Sequence, residues 1–326
     1  MTETERDVVG IGNAIVDVLA EVDDAFLEQN GMVKGTMALI DSEQAFRLYR
    51  KLSNVQEHSG GSAANTMAGI ASLGGAGGFI GRVRDDELGA SFARNIRAAG
   101  VRYTTPPALE GPNTGRCLVM VTPDAQRTMQ TYLGACAALT KDDLDERMIR
   151  SAAVTYLEGY LWDPPEAQEA FLHAAAVAHD AGRKVSLSLS DPFCVERHRP
   201  DFLELIAGHV DILFGNESEI LSLYETEDLD AALEQVRKVC EQAVVTLGAE
   251  GAAVTAGGSV VKVPAAPVDK VVDTTGAGDL FAAGFLYGVT RNLPPEESAR
   301  IGGVAAGEII GHFGARPERR LADLIG

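Results

Sequence analysis

From residue 141 onward the chain repeats one unit: a run with apolar residues at helical spacing, then a short block of aliphatic residues, then a turn. Helices are expected at 142–150, 166–179, 201–207 and on to 238, with strands at 154–157, 184–189, 212–214 and 244–247 between them. Aliphatic strands that alternate with helices need cover on both faces and lie parallel to one another. The expected fold class is therefore α/β, a doubly wound, mostly parallel sheet flanked by helices.

The front half is less regular. Strands are read at 7–12, 15–21 and 79–83, and helices at 42–51 (Ser42 as N-cap), 63–73 (opened by Gly60-Gly61) and 86–99. A hairpin at 116–121 and 128–132 turns through 122–127, and a second hairpin at 251–263 turns at Gly257-Gly258. Two helices close the chain, the second starting near Pro294-Pro295, where proline suits a first helical turn. The expected division is a large α/β domain from 1–14, 59–111 and 140–326, with a small β-sheet lid from 15–58 and 112–139.

Composition narrows the partners. Among 326 residues, 47 Asp and Glu outweigh 28 Lys and Arg, a net charge of −19 that disfavours nucleic acid and anionic membranes. A small anionic substrate then needs a locally positive pocket. Cys117, Cys136, Cys194 and Cys240 are widely separated, which suggests neither a zinc site nor a disulfide framework. The charged start, Met1 to Asp7, has no apolar signal region, and no segment approaches the roughly 20 apolar residues of a membrane span, so a cytoplasmic location is expected.

The expected strand ends carry Glu158-Gly159, Ser190-Asp191, Gly215-Asn216, Thr246-Leu247-Gly248 and Asp273-Thr274-Thr275, which a doubly wound sheet gathers along one edge. The last of these leads into Gly276-Ala277-Gly278-Asp279 and an apolar helical run. Glycines at a helix start turn main-chain N–H groups to one side and attract anions. A carboxylate at Asp279 would repel a phosphate there, unless its task is to take a proton from an attacking hydroxyl. Read alone, the motif is equally a strand-to-helix turn in which Asp279 complements the helix dipole.

Several familiar sites are absent. No Gly-x-x-x-x-Gly-Lys-Ser/Thr occurs, Gly10-x-Gly12 lacks a third glycine, and Gly60-Gly61-Ser62-Ala63-Ala64 misses the nucleophile elbow by its last residue. The six histidines show no metal spacing.

Gly60-Gly61-Ser62-Ala63-Ala64-Asn65 and Asp273 to Asp279 resemble the paired signatures of the ribokinase-like (PfkB) carbohydrate and nucleoside kinases. Asn216-Glu217-Ser218-Glu219 resembles that family's magnesium motif, and Thr246 to Gly251 its nucleotide loop. Gly12 to Asp17, Leu157-Glu158-Gly159-Tyr160 and Asp211 to Glu219 are similar to segments of the adenosine kinase branch. The resemblance implies an ATP-dependent transfer to a primary hydroxyl, most simply the 5′-OH of adenosine or a related nucleoside, with Asp279 as general base. It implies that Gly276, Ala277 and Gly278 cradle the phosphate and that Arg127 reaches it from the lid. Asn13, Asp17, Gly60, Gly61 and Asn65 would hold the substrate, and Asn216, Thr246, Gly248 and Gly251 the nucleotide. Asn216 and Glu219 would hold Mg2+ through water, and Asp273 and Thr275 resemble a monovalent-cation site, with K+ the candidate ion. Leu39, Phe193 and Leu161 could line a base slot, or equally belong to the core. A sugar kinase of the same family and a non-catalytic binding protein of this fold are the alternatives; a serine hydrolase at Ser62 is weaker. The expected state is monomer or homodimer.

Overall fold

The structure, a computed structural model, describes residues 4–124 and 126–326. Ala125, in the expected hairpin turn, and the first three residues lie outside the described set. Strands are numbered along the chain.

β1 (Arg6–Ile11) sets the frame. Val8 packs into one apolar layer and Val9 and Ile11 into the opposite one, the period-two pattern of a strand covered on both faces. It pairs in parallel with β5 (Gly77–Ile80) on one side and β9 (Ala152–Glu158) on the other. Beyond β5 lies β6 (Arg102–Tyr103), and beyond β9 follow β10 (Lys184–Ser188), β11 (Ile212–Asn216) and β12 (Gln242–Thr246), all parallel. The antiparallel hairpin β13 (Ala252–Ala256) and β14 (Ser259–Val263) completes this nine-stranded sheet.

The chain leaves β1 for β5 and only later reaches β9 on the other side. This reversal opens a crevice beyond the carboxyl ends of β1 and β9, where ligands bind in sheets of this kind. A second, five-stranded sheet closes over it: β2 (Ile15–Glu21), β3 (Met37–Leu39), β4 (Gln56–Gly60), β7 (Gly115–Val121) and β8 (Arg127–Tyr132), in the order β3-β8-β7-β2-β4. Asn13 and Gly61 sit at the two crossings between the sheets.

The expected doubly wound sheet and the smaller sheet are both present, and several boundaries differ for identifiable reasons. Asp41, not Ser42, caps the Ser42–Tyr49 helix, because its carboxylate accepts from Gln44 N at 2.8 Å while Gln44 returns a bond to Asp41 N. The helix expected at 142–150 is a 3-10 turn, Lys141–Asp143, followed by the helix Glu146–Ser151, since Asp143 and Asp145 each serve a separate start. The helix expected at 201–207 runs Pro192–His209 and kinks at His198, where Pro200 lacks the N–H the ladder needs. β4, with the polar sequence Gln-Glu-His-Ser-Gly, carries no aliphatic signature, and β3 and β6 are too short to show a period.

Helix packing fixes the site. The helix Ala277–Val289 is buried along most of its length and lies against the helices Ser62–Ser72 and Pro295–Ile309. Glycines permit the approach: a Cβ on Gly69 would lie 2.6 Å from Ala283 Cβ, and one on Gly284 would lie 2.6 Å from the backbone of Gly302. That closeness brings the first turn of Ala277–Val289 beside the first turn of Ser62–Ser72. Gly284→Ala should overpack the contact and cost about 1–3 kcal/mol, read as a lower urea midpoint with unchanged slope; an unchanged midpoint would show that the helices separate freely.

Candidate active site

A cleft of about 1200 Å3 lies between the two sheets, lined by the ends of β9, β10, β11 and β12 on one side and one face of the smaller sheet on the other. The polar strand ends read from sequence do gather there, with Glu158, Ser190, Asp191, Asn216 and Thr246 lining it; Thr274 and Thr275 line it too, but from an irregular segment between β14 and the next helix and not from the strand end that was expected.

Gly276 is the N-cap of Ala277–Val289, with φ at +80° and no side chain capping the helix start. A Cβ there would lie 2.9 Å from Ala315 Cβ, so both conformation and space call for glycine. The Ala277 N–H is taken by Thr274 O at 3.1 Å. Gly278 and Asp279, in the first helical turn, have no intrahelical acceptor for their amides, and a Cβ on Gly278 would meet only open space. The helix start thus opens into the cleft.

Asp279 stands on this first turn. Its Oδ1 accepts from Ser62 Oγ at 2.6 Å and its Oδ2 from Asn65 Nδ2 at 2.9 Å. Burial raises its pKa, while those two bonds and the Arg316 charge pull it back down. Ser62 therefore faces a carboxylate.

At the switch point, Glu158 Oε1 accepts from Asn13 Nδ2 at 2.7 Å, and its Oε2 from Ala63 N at 2.8 Å and Asn13 N at 3.3 Å. The Asn13 amide is thereby turned so that its Oδ1, buried and without a partner, lines the cleft. Desolvation pushes Glu158 up to about 7, against the pull of these donors. Asp17, from β2, is pushed up to about 6 by desolvation, with Arg316 and Arg127 opposing. Gly60 does not line the cleft; it leaves room for the Asp17 carboxylate, with which a Cβ would collide. Gly61, at φ +97°, lies so close to Asn13 O that no side chain fits.

Arg127 begins β8 and reaches across the cleft to Asp273. Its Nη1 pairs with Asp273 Oδ2 at 2.8 Å, the side chains being 11% and 9% exposed, and its guanidinium lies over the Phe313 ring at 5.4 Å. Its Nε and Nη2 are buried without partners among the described residues. Asp273 also accepts from Gly314 N at 3.0 Å and from Thr275 N and Oγ1 at 3.1 and 2.7 Å. Both its oxygens thus serve protein donors, and a K+ ion there would have to displace the guanidinium or an amide.

Asn216 and Glu219 form a reciprocal cap on the helix Glu217–Tyr224, with Asn216 Nδ2 donating to Glu219 Oε1 at 2.6 Å. Glu219 is nearly buried, lines the cleft and is pushed up to about 7 by desolvation. Thr246 and Gly248 line the cleft; Gly251, at φ +100°, serves the turn into β13. Leu39 and Phe193 are exposed at the cleft, whereas Leu161 belongs to the core and lines nothing. Of the two places open to it, Leu161 takes the core one, in a 3-10 turn that packs into the apolar cluster.

The parts played by three residues of this arrangement are not visible in sequence, where Ser62 suggests only a hydrolase nucleophile. Ser62 and Glu158 stood inside quoted motifs without a partner to reveal their task. Arg316 gave no signal at all in a polar tail. Its guanidinium donates to Ala64 O at 2.6 Å and to Ser59 O at 2.6 and 3.1 Å, and it lines the cleft.

The family model for pfkB family carbohydrate kinases matches residues 36–320. The chain belongs to that family. An adenosine kinase from Sinorhizobium meliloti superposes with a TM-score of 0.90 at 50% identity, covering 98% of each chain. A probable sugar kinase from Rhizobium etli gives 0.90 at 47% identity, over 98% of this chain and 97% of that one. Adenosine kinase 2 of Arabidopsis thaliana is 28% identical over 96% of each sequence. The pfkB chain is an ATP-dependent phosphotransferase with a hydroxyl acceptor, and its relatives place it in the adenosine kinase branch. Among the described residues no helix is long and apolar enough to cross a membrane.

In this kinase the Arg127–Asp273 pair is nearly dry, so removing one partner strands a charge. Asp273→Leu should cost about 3 kcal/mol or more by urea unfolding, and Asp273→Leu with Arg127→Met should recover most of it. A double variant whose loss equals the sum of the Asp273→Leu and Arg127→Met losses would mean the pair is not coupled.

Proposed function

We propose that this kinase transfers the γ-phosphate of ATP to the 5′-OH of adenosine or a closely related nucleoside, with Asp279 as the general base. The observation that carries the reading is the place of Asp279: a partly desolvated carboxylate in the first turn of an uncapped helix, held by Ser62 and Asn65. The helix start favours an anion and the carboxylate accepts a proton, so an alcohol between them meets its base and its phosphoryl donor together.

The other residues fit around that centre. Asn13 Oδ1 and the Asp17 carboxylate are acceptors suited to ribose hydroxyls, which donate. Leu39 and Phe193 supply exposed apolar surface for a flat base at the cleft. The unpartnered Nε and Nη2 of Arg127 suit a phosphate oxygen, since leaving such donors dry is costly. The smaller sheet acts as the lid that excludes water once both substrates are in.

Mg2+ neutralises charge on the phosphates when bound. Glu219 and Asn216 offer hard oxygen donors, and the raised pKa of Glu219 is what a nearby cation would reverse. Because each already bonds the other, they would hold the ion through water.

Asp279→Asn should lower kcat by roughly 10²-fold or more while leaving nucleotide binding and the unfolding midpoint in place. Near-normal turnover would remove Asp279 from the mechanism. A coupled ATP-consumption panel with adenosine, inosine, guanosine, ribose and fructose tests the acceptor. Adenosine should give the highest kcat/KM, and preference for a free sugar would replace the nucleoside reading with the sugar-kinase one.

A further inference from the structure

The segment 313–316, after the last long helix, touches each part of the site in turn. The Phe313 ring lies under Arg127, and Gly314 N donates to Asp273. Ala315 fills the space a side chain on Gly276 would need. Arg316 then crosses to the substrate side, donating to the carbonyls of Ser59 and Ala64 and to Ser59 Oγ at 3.0 Å. One short strap therefore joins the start of the helix Ala277–Val289 to the end of β4 and the first turn of the helix Ser62–Ser72, which carries Ser62 and Asn65.

The chemistry of those acceptors matters. Carbonyl and hydroxyl oxygens orient a guanidinium without cancelling its charge, unlike the Asp273 carboxylate that Arg127 meets. The Arg316 charge is thus fixed in place and left to act on Asp17 and Asp279, which in turn support it against burial. The other titratable groups that interact with Asp279 are Asp17, Glu158, Tyr156 and Tyr160. Asp279 raises both carboxylates in that set, the tyrosines are neutral, and Arg316 is the cation that favours an ionised Asp279.

We propose that Arg316 is a positioning residue that keeps Asp279 in its proton-accepting form, by holding an uncancelled positive charge beside it while tethering the junction of β4 and the helix Ser62–Ser72. This deepens the reading of Asp279 as the base and rests on it. The sign follows directly. Taking the cation away disfavours the carboxylate, raises the pH at which Asp279 loses its proton, and moves the acid limb of the pH–rate profile upward.

The test is kcat for adenosine phosphorylation from pH 5 to 9 with the full-length protein. It compares wild type, Arg316→Lys, which keeps the charge but not the fork, and Arg316→Gln, which keeps donors but not the charge. Thermal melts accompany each variant. The acid limb of Arg316→Gln should rise by about one pH unit or more, a loss of about tenfold in kcat on the acid side of the limb, while Arg316→Lys shifts by well under half as much. Arg316→Met is the second neutral variant should the glutamine not fold. A neutral variant whose limb stays put while its melting temperature falls would overturn the proposal, because the arginine would then only hold the junction. Equal shifts in the neutral and lysine variants would overturn it as well, since charge would not be the cause. Asp279→Asn is run alongside: retained turnover there defeats the base reading itself and this proposal with it, whereas a dead Asp279→Asn beside an unshifted Arg316→Gln defeats only the proposal.

Discussion

The contact on which the site depends is the pair of hydrogen bonds that Ser62 and Asn65 give to Asp279, across more than two hundred residues of sequence. A carboxylate withdrawn from water at this depth needs compensation, and hydrogen bonds to a charged group supply about 1.5–3 kcal/mol each. The start of the helix dipole adds to it. The compensation stays incomplete, since burial still raises the Asp279 pKa. That residual imbalance is useful in a base, because a fully neutralised carboxylate would have little tendency to take a proton. The bonds exist only because Gly69, Gly284 and Gly302 let three helices come closer than any side chain would permit.

Of the three arginines that line the cleft in a chain of net charge −19, Arg197 pairs with Asp163, and Arg127 and Arg316 are held in two different ways. Arg127 is anchored through a carboxylate, so its field is largely cancelled, while two of its donors stay dry and unpaired. An arriving phosphate oxygen would satisfy those donors at short range, which gives geometric selectivity more than long-range attraction. Arg316 is anchored through neutral oxygens and acts through its charge. Each anchor matches a different physical task, one directional and one electrostatic.

Much of this was legible in the sequence because it rests on local rules. The β/α alternation after residue 141 gave the parallel sheet, and Gly276-Ala277-Gly278 announced a helix start that no side chain could cap. The polar strand ends converged because a parallel sheet places all its carboxyl ends along one edge. What failed depended on contacts distant in sequence. Leu161 looks like any exposed leucine until the sheet above it is placed, and β4 is a strand only because β2 offers it an edge to pair with. Asn65, read as a substrate ligand, lines the cleft and also donates to Asp279, a partner no spacing rule could supply.

Arg316 is the extreme case, and the reason is physical. Its acceptors are main-chain carbonyls, and every residue type presents the same carbonyl, so nothing in the identities of Ser59 or Ala64 marks them as partners. A salt bridge leaves an acidic residue in the sequence to be noticed; a guanidinium tethered to backbone leaves none. The same choice that hides the residue from sequence reading preserves its charge for Asp17 and Asp279. A cation required to influence a base without pairing to it has to be held by neutral atoms, and the backbone at the junction of β4 and the helix Ser62–Ser72 is the nearest supply.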